Sequence, residues 1–240
     1  MEKQNNNITD KKQLLRLKYL SDKLDSMCEK EIIQLLLTYS AGKKYEKLSE
    51  ELYERFGTFN ALADADLRYL LNNSEIDEKT VVLLHLIPQL SRLYLMDNKK
   101  ISVLNSSLCA KKYFENFFIG ALEEQLVAVA VNEKFAIIEY KIIAKGSSSF
   151  INTSCRSIAD FALKNNSFGI FIAHNHPYGS SQPSSSDYAS TSTIVNFLNQ
   201  LNILLIDHII IGKSSSVSMR ELPYTLSLKS NHCSGYSTDI

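Results

Sequence analysis

The sequence predicts an α/β protein: a small all-helical domain followed by a domain built on a mixed sheet. Three observations predict it. Up to about residue 97 the apolar residues recur at helical spacings. Near residue 100 the character changes to Val, Ile and small apolar residues. From there the runs follow the order β-β-α-β-α-β, which describes a mixed sheet with helices packed against it. The expected divisions are a disordered polar tail over 1–10, a helical module over 11–100, a sheet domain over 101–228 and a polar tail over 229–240.

The helical half is justified element by element. Leu14, Leu17 and Leu20/Leu24 recur at spacings of three and four. EKEIIQLLLTYSA predicts a helix with Ile32, Ile33, Leu36 and Leu37 on one side and Gly42 as its C-cap. YEKLSEELYERFG repeats the pattern with Leu48, Leu52 and Phe56 and stops at Gly57. NALADADLRYLLNN is a shorter helix, and EKTVVLLHLIPQLSRLYL a long one bent at Pro88. The Lys, Asn and Ser positions between 98 and 112 suit a linker.

In the second half, EEQLVAVAVNEKFAIIEYKIIAKG predicts two strands joined by a turn at Asn132–Lys134. CRSIADFALKNN is a helix with Ile158, Phe161 and Ala162 on one side. FGIFIAHNH is a buried strand, SDYASTSTIVNFLNQLN a helix, ILLIDHIIIGKSS a strand, and SVSMREL a last strand or edge.

Composition excludes several classes. The 240 residues carry 26 basic and 26 acidic side chains, so the formal net charge is zero. They divide as 16 of each over 1–100 and 10 of each over 101–240, so neither half has a basic field suited to broad phosphate contact. Cys28, Cys109, Cys155 and Cys233 are widely spaced, a poor disulfide framework and a poor zinc knuckle. MEKQNNNITDKKQ lacks the apolar core of a signal peptide, and no run is long enough to span a bilayer. A cytoplasmic protein is expected.

The chemistry concentrates in GIFIAHNHPYGSSQPSSSD, which spends two of five histidines. His174 and His176 lie at i and i+2, so on an extended backbone both side chains point the same way. Pro177 and Gly179 stop the strand, and a turn can return Asp187 to the pair. Two imidazole nitrogens and a carboxylate leave the fourth tetrahedral position of zinc open for water, the catalytic arrangement. Ser184, just outside the next helix, can donate to a developing oxyanion. A general base must reach the water without binding metal. Glu123 and Glu124 are the candidates; only one can face inward, and parity alone does not choose. Glu133 falls in a turn, and Glu139 is a weaker rival.

HNHPYGSSQPSSSD resembles the JAMM/MPN+ signature, His-x-His, seven residues, Ser, two residues, Asp. The closest resemblance is to bacterial RadC-like proteins, the UPF0758 or JAB-domain family. DHIIIG, ending at Gly212, resembles a downstream segment of that family. Laying Gly146 on the glycine that ends the family's Glu-bearing hairpin puts Glu124 on the family's catalytic glutamate. Arg156 falls on an arginine typical of the family. The resemblance implies an MPN/JAB, cytidine-deaminase-like fold. It also implies a zinc-dependent hydrolase of peptide or isopeptide bonds with one zinc ion per chain. Zinc would sit on His174, His176 and Asp187, with Glu124 as base and Ser184 as oxyanion donor. Asp207 and His208 could support the site from a neighbouring strand, and Arg156 could meet a substrate carboxylate or hold a loop.

There are departures. Tyr178 stands where the family often has serine, and Ser147 where it usually has threonine. NNSEIDEKTV lacks the glycine turn of a helix-hairpin-helix, which weakens a DNA-binding reading of the first half. The alternatives are a DNA-repair-associated or nucleic-acid-binding factor and a non-catalytic protein-binding MPN module. A peptide or protein substrate is the expected partner, with homodimerisation open and no membrane. His85 reads as a plain helix residue, Cys155 as no nucleophile, and His232 with Cys233 as no second metal site.

Overall fold

The structure, a computed structural model, describes residues 2–97, 102–146, 151–223 and 235–238. It divides into two compact units, Met1–Ser91 and Arg92–Ile240. His232, Cys233 and the Ser147–Ser149 run lie outside the described residues.

The first unit holds α1 (Glu2–Asp22), α2 (Glu29–Ser40), α3 (Tyr45–Phe56), α4 (Phe59–Ala63), α5 (Leu67–Leu71) and most of α6 (Glu78–Asp97). Its core joins Ile33, Leu37, Tyr45, Leu48, Leu52, Leu62, Leu70, Val81 and Leu84. Three expectations change. The helix α1 runs from Glu2, over the stretch expected to be disordered; once a helix has nucleated, each added residue brings its own hydrogen bond. The buried side of α2 is Ile33, Leu35, Leu37 and Thr38, without Ile32 and Leu36; Ala41 is the C-cap, and Gly42, with φ 57°, follows in the left-handed conformation that ends helices and opens a 3-10 turn. The single helix expected over NALADADLRYLLNN is two. Thr58 accepts from the Ala61 N–H and Asp66 from the Tyr69 N–H, so the Asp66 side chain starts a second helix instead of continuing the first. Pro88 lies inside α6.

The second unit holds α7 (Ser107–Phe117), β1 (Gln125–Val131), β2 (Ile137–Lys145), α8 (Ile151–Lys164), β3 (Gly169–Asn175), α9 (Ser185–Asn199), β4 (Leu204–Ile211) and β5 (Ser216–Ser218). The helix α7 occupies positions that read as linker. Ser106 caps it by accepting the Cys109 N–H, and Ala110, Tyr113, Phe114 and Phe117 supply a buried i, i+3, i+4, i+7 face.

The five strands stand in the order β2-β1-β3-β4-β5. The β3–β4 pair is parallel and the others antiparallel, a mixed α/β sheet. Each face is apolar. Leu126, Ala128, Ile170, Ile172 and Ile210 pack with Ile158, Phe161 and Ala162 of α8 and Ile194 and Leu198 of α9. Val127, Val129, Phe171, Ala173 and Ile209 pack with Phe114 and Phe117 of α7. Strands buried on both faces read as continuous apolar runs, as β1, β3 and β4 do. In β4 the register shifts: Ile170 pairs with Leu205 but Phe171 with Asp207. That bulge turns His208 toward the α8/α9 face.

Candidate metal centre

His174 closes β3 one residue before its end, and His176 lies just past it. The His176 N–H donates to the Ile211 carbonyl, keeping the chain extended beside β4 for one more step. The two Nε2 atoms approach to 2.9 Å. Asp187 Oδ1 is 3.2 Å from His174 Nε2, and its Oδ2 4.0 Å from His176 Nε2.

The protons can be assigned by counting. His176 Nδ1 faces the Ser180 carbonyl at 2.7 Å, an acceptor only, so Nδ1 carries the proton and Nε2 a lone pair. The Thr191 hydroxyl is 2.6 Å from the Asp187 carbonyl, so its one proton goes there. Thr191 must then accept from His208 Nδ1, 2.7 Å away. Burial lowers the His208 pKa well below 6.5, so the ring is neutral and its Nε2 accepts from His174 Nδ1 at 2.8 Å. In the neutral form, the one that binds metal, His174 then has a lone pair on Nε2 as well. Two lone pairs 2.9 Å apart, beside a carboxylate, call for a positive centre between them. Imidazole and carboxylate donors are those that zinc takes.

Asp187 does two jobs. It stands at the third position of α9 in a capping box: Ser184 Oγ accepts the Asp187 N–H at 3.2 Å, and Asp187 Oδ2 accepts the Ser184 N–H at 2.7 Å. Ser184 Oγ also donates to Oδ2 at 2.6 Å. Burial raises the Asp187 carboxyl, and the two Ser184 donors on Oδ2 pull it down. The Ser-x2-Asp spacing thus has a helix-start reason of its own.

Glu124 precedes β1 and shares the parity of Leu126 and Ala128, hence the face of His174. One ligand atom each from Glu124, His174 and His176 lies within 4.8 Å of the others. The Glu123 side chain is exposed and lies against Gly146, which follows β2 with a φ of 77°. The structure therefore separates the two glutamates that the sequence left tied. Glu133 sits in the exposed β1–β2 turn, and Glu139 is an exposed residue of β2.

A second layer holds the first. His208 is buried against His174 as described. Asp207, fully buried on the other face, accepts from Ser218 Oγ (2.6 Å), Tyr236 OH (2.8 Å) and the N–H groups of His208 (2.7 Å) and Arg220 (3.1 Å). Burial pushes it up to about 6 despite those donors. Tyr236 comes from the stretch that reads as polar tail; its ring packs on Phe135 and Phe171, and Ser237 bridges to Ser106. Sequence reasoning missed Thr191, the Ser180 carbonyl and the role of Gly212. Thr191 stands four residues after Asp187, on the same side of α9, a signal that was available. A Cβ on Gly212 would lie 2.3 Å from Ser181 N, so the loop carrying the Ser180 carbonyl can lie where it does only over glycine. Arg156 is exposed and 3.9 Å from Asp160; among the described residues no hydrogen bond or ion pair joins it to the histidines. Cys155 is buried, which raises its thiol pKa, and His85 lies on α6 in the first unit.

The family model for the RadC-like JAB domain matches residues 104–224, the stretch that carries every one of these site residues except Tyr236. The chain is also 33% identical over 219 residues to a UPF0758 protein of Lactococcus lactis subsp. cremoris (strain MG1363), covering 87% of this chain and 90% of the relative. The chain belongs to the RadC-like UPF0758 family. Its RadC-like JAB domain points to JAMM-type metal-dependent hydrolases, and the Glu124–His174–His176 group is one that could hold a metal. Among the described residues, no helix is long and apolar enough to cross a membrane.

Proposed function

We propose that this RadC-like protein is a zinc-dependent hydrolase of peptide or isopeptide amide bonds, acting on a peptide or protein substrate. The observation that carries the reading is the convergence of two imidazole Nε2 atoms, 2.9 Å apart, beside Asp187 and Glu124. His174, His176 and Asp187 would hold the ion. Bound zinc would supply Lewis acidity, lowering the pKa of a water toward about 7 and polarising the scissile carbonyl. Glu124 would take a proton from the attacking water and give it to the leaving amine. Ser184 donates to the oxyanion, for which its hydroxyl must turn from Asp187 Oδ2, its partner here.

The test is metal content, then turnover. The wild type should carry about one zinc per chain, and His174→Ala with His176→Ala none. Glu124→Gln should keep zinc and lose cleavage of peptide and isopeptide libraries. A folded wild type that takes up no zinc refutes the reading; full activity in Glu124→Gln refutes the assignment of the base.

A further inference from the structure

The residue between the two ligand histidines is Asn175, 3% exposed and outside the chemistry described so far. It shares the parity of Phe171 and Ala173, so it sits on the sheet face away from His174. The β1–β3 backbone ladder stops at the pair Leu126–His174. Beyond that point the Asn175 side chain takes over. Its Oδ1 accepts the Gln125 N–H at 2.8 Å. Its Nδ2 donates to the carbonyls of Glu123 at 3.1 Å and Ala121 at 3.4 Å. These bonds bracket Glu124 on both sides in sequence. From the β2 side, the Gly146 N–H donates to the Glu124 carbonyl at 2.8 Å.

We propose that Asn175 is the positioning residue for Glu124: its carboxamide prolongs the sheet over residues 121–125 and fixes where the Glu124 carboxylate stands beside the histidines. This rests on the reading of Glu124 as the base. A glutamate has three side-chain torsions, so its reach is only as well defined as its backbone. Displacement of such a group by about 1 Å is enough to cost it its role. The bracket needs one acceptor and two donors on a short side chain. Aspartate lacks the donors, alanine lacks both, and glutamine is a methylene too long for a buried site. The middle position of His-x-His thus carries a requirement of its own. Alternation sends it to the opposite face from the ligands, where the base-bearing segment crosses.

The test is a double-mutant cycle on zinc affinity, read by chelator competition on the full chain, with thermal melts to show that each variant is folded. Glu124→Ala and Asn175→Ala should each weaken zinc by about tenfold or more, the range for groups that act just outside the ligand set. The double variant should be no weaker than Glu124→Ala, because Asn175 acts through Glu124. Additive losses overturn the proposal, as does a wild-type affinity in Asn175→Ala beside a weakened Glu124→Ala; where both keep the wild-type affinity, the exchange measurement on the Gln125 amide decides. If Asn175→Ala does not fold, Asn175→Leu replaces it with the same expectations, since it keeps the volume and loses both the acceptor and the donors. Hydrogen exchange at the Gln125 amide reads the bracket without metal. It should quicken at least about tenfold in the Asn175 variant while the Val129 amide is unchanged; unchanged exchange overturns the proposal. A wild type that binds no zinc refutes the proposed function, and the exchange measurement still decides the bracket.

Discussion

Replacing Thr191 by Val should cost stability or, through two histidines, zinc affinity, without touching a ligand. Thr191 is buried, with Oγ1 2.7 Å from His208 Nδ1 and 2.6 Å from the Asp187 carbonyl. Valine keeps the branched shape and removes the acceptor. His208 then has two choices. It can keep its Nδ1 proton unpaired, which costs about 1–3 kcal/mol for a buried donor. Or it can move the proton to Nε2, which faces His174 Nδ1 at 2.8 Å. His174 must then carry its own proton on Nε2, the nitrogen that faces Asp187 and His176. The first route lowers stability by about 2 kcal/mol. The second blocks a ligand atom, and fixing ligand tautomers from outside the site is worth about 10–100-fold in metal affinity. Chelator competition reads the affinity and urea unfolding the stability. Thr191→Ser should restore both. A Thr191→Val chain with both wild-type zinc affinity and wild-type stability would refute the proton assignment.

Gly212→Ala should act on the other ligand: its Cβ would stand 2.3 Å from Ser181 N and 2.6 Å from Ser180 C, both backbone, so the loop must move. The Ser180 carbonyl then leaves His176, and zinc affinity should fall by about tenfold or more while β3 keeps its exchange protection; an unchanged affinity speaks against that carbonyl as the orienting group. Asp207 predicts a pH dependence. Burial raises its pKa from 3.8 to about 6 in the folded chain. The native state therefore holds the extra proton between those values. The stabilisation is full below 3.8 and is lost as pH rises through 6, about 3 kcal/mol in all. Asp207→Asn lacks that loss, so the wild type minus the variant should decline by about that amount from pH 4 to 7 in urea unfolding. The lowered His208 pKa gives the opposite slope below 6.5 but is common to both chains and cancels; a flat difference would refute the assignment.

What could be read in the sequence follows from what its patterns encode. The strands and the His-x-His site were legible because apolar runs ending in turn residues have few alternatives, and because ligand geometry is local at i, i+2. The choice between Glu123 and Glu124 was not. Residues Leu126 to Val131 are buried on both faces, so there is no alternation to say which parity faces α8 and α9. Only the pairing of Leu126 with His174 decides it. The helix α7 was hidden because Ser106, Ser107, Lys111 and Lys112 resemble a linker. Their polarity belongs to a helix cap and to an ion pair between Lys111 and Glu221, 3.2 Å apart. The Ser180 carbonyl left no trace, since orientation by a backbone group does not depend on the side chain. Tyr236 was illegible for another reason: nothing local marks a tyrosine in a polar stretch as the partner of a buried acid 29 residues earlier.

The bulge in β4 ties these layers together. Without the extra residue between Leu205 and Asp207, strict alternation would reverse the faces of everything after it. His208 would turn from His174 toward α7, and an aspartate would stand against the ligand in its place. The bulge has a cost, a disturbed ladder next to a buried acid. Asp207 meets part of it by accepting the N–H of His208, the residue that must be held. Its second oxygen takes Ser218 and Tyr236, which bind the bulge to β5 and to the returning C-terminal stretch. The Asp-His pair is then one device with two faces. The acid fixes the irregular backbone on one side, and on the other the imidazole sets the tautomer of the metal-facing histidine. On this account Asp207 serves as an anchor rather than in catalysis, and its raised pKa is the consequence of its burial. Its replacement should disturb zinc only as far as it lets His208 move.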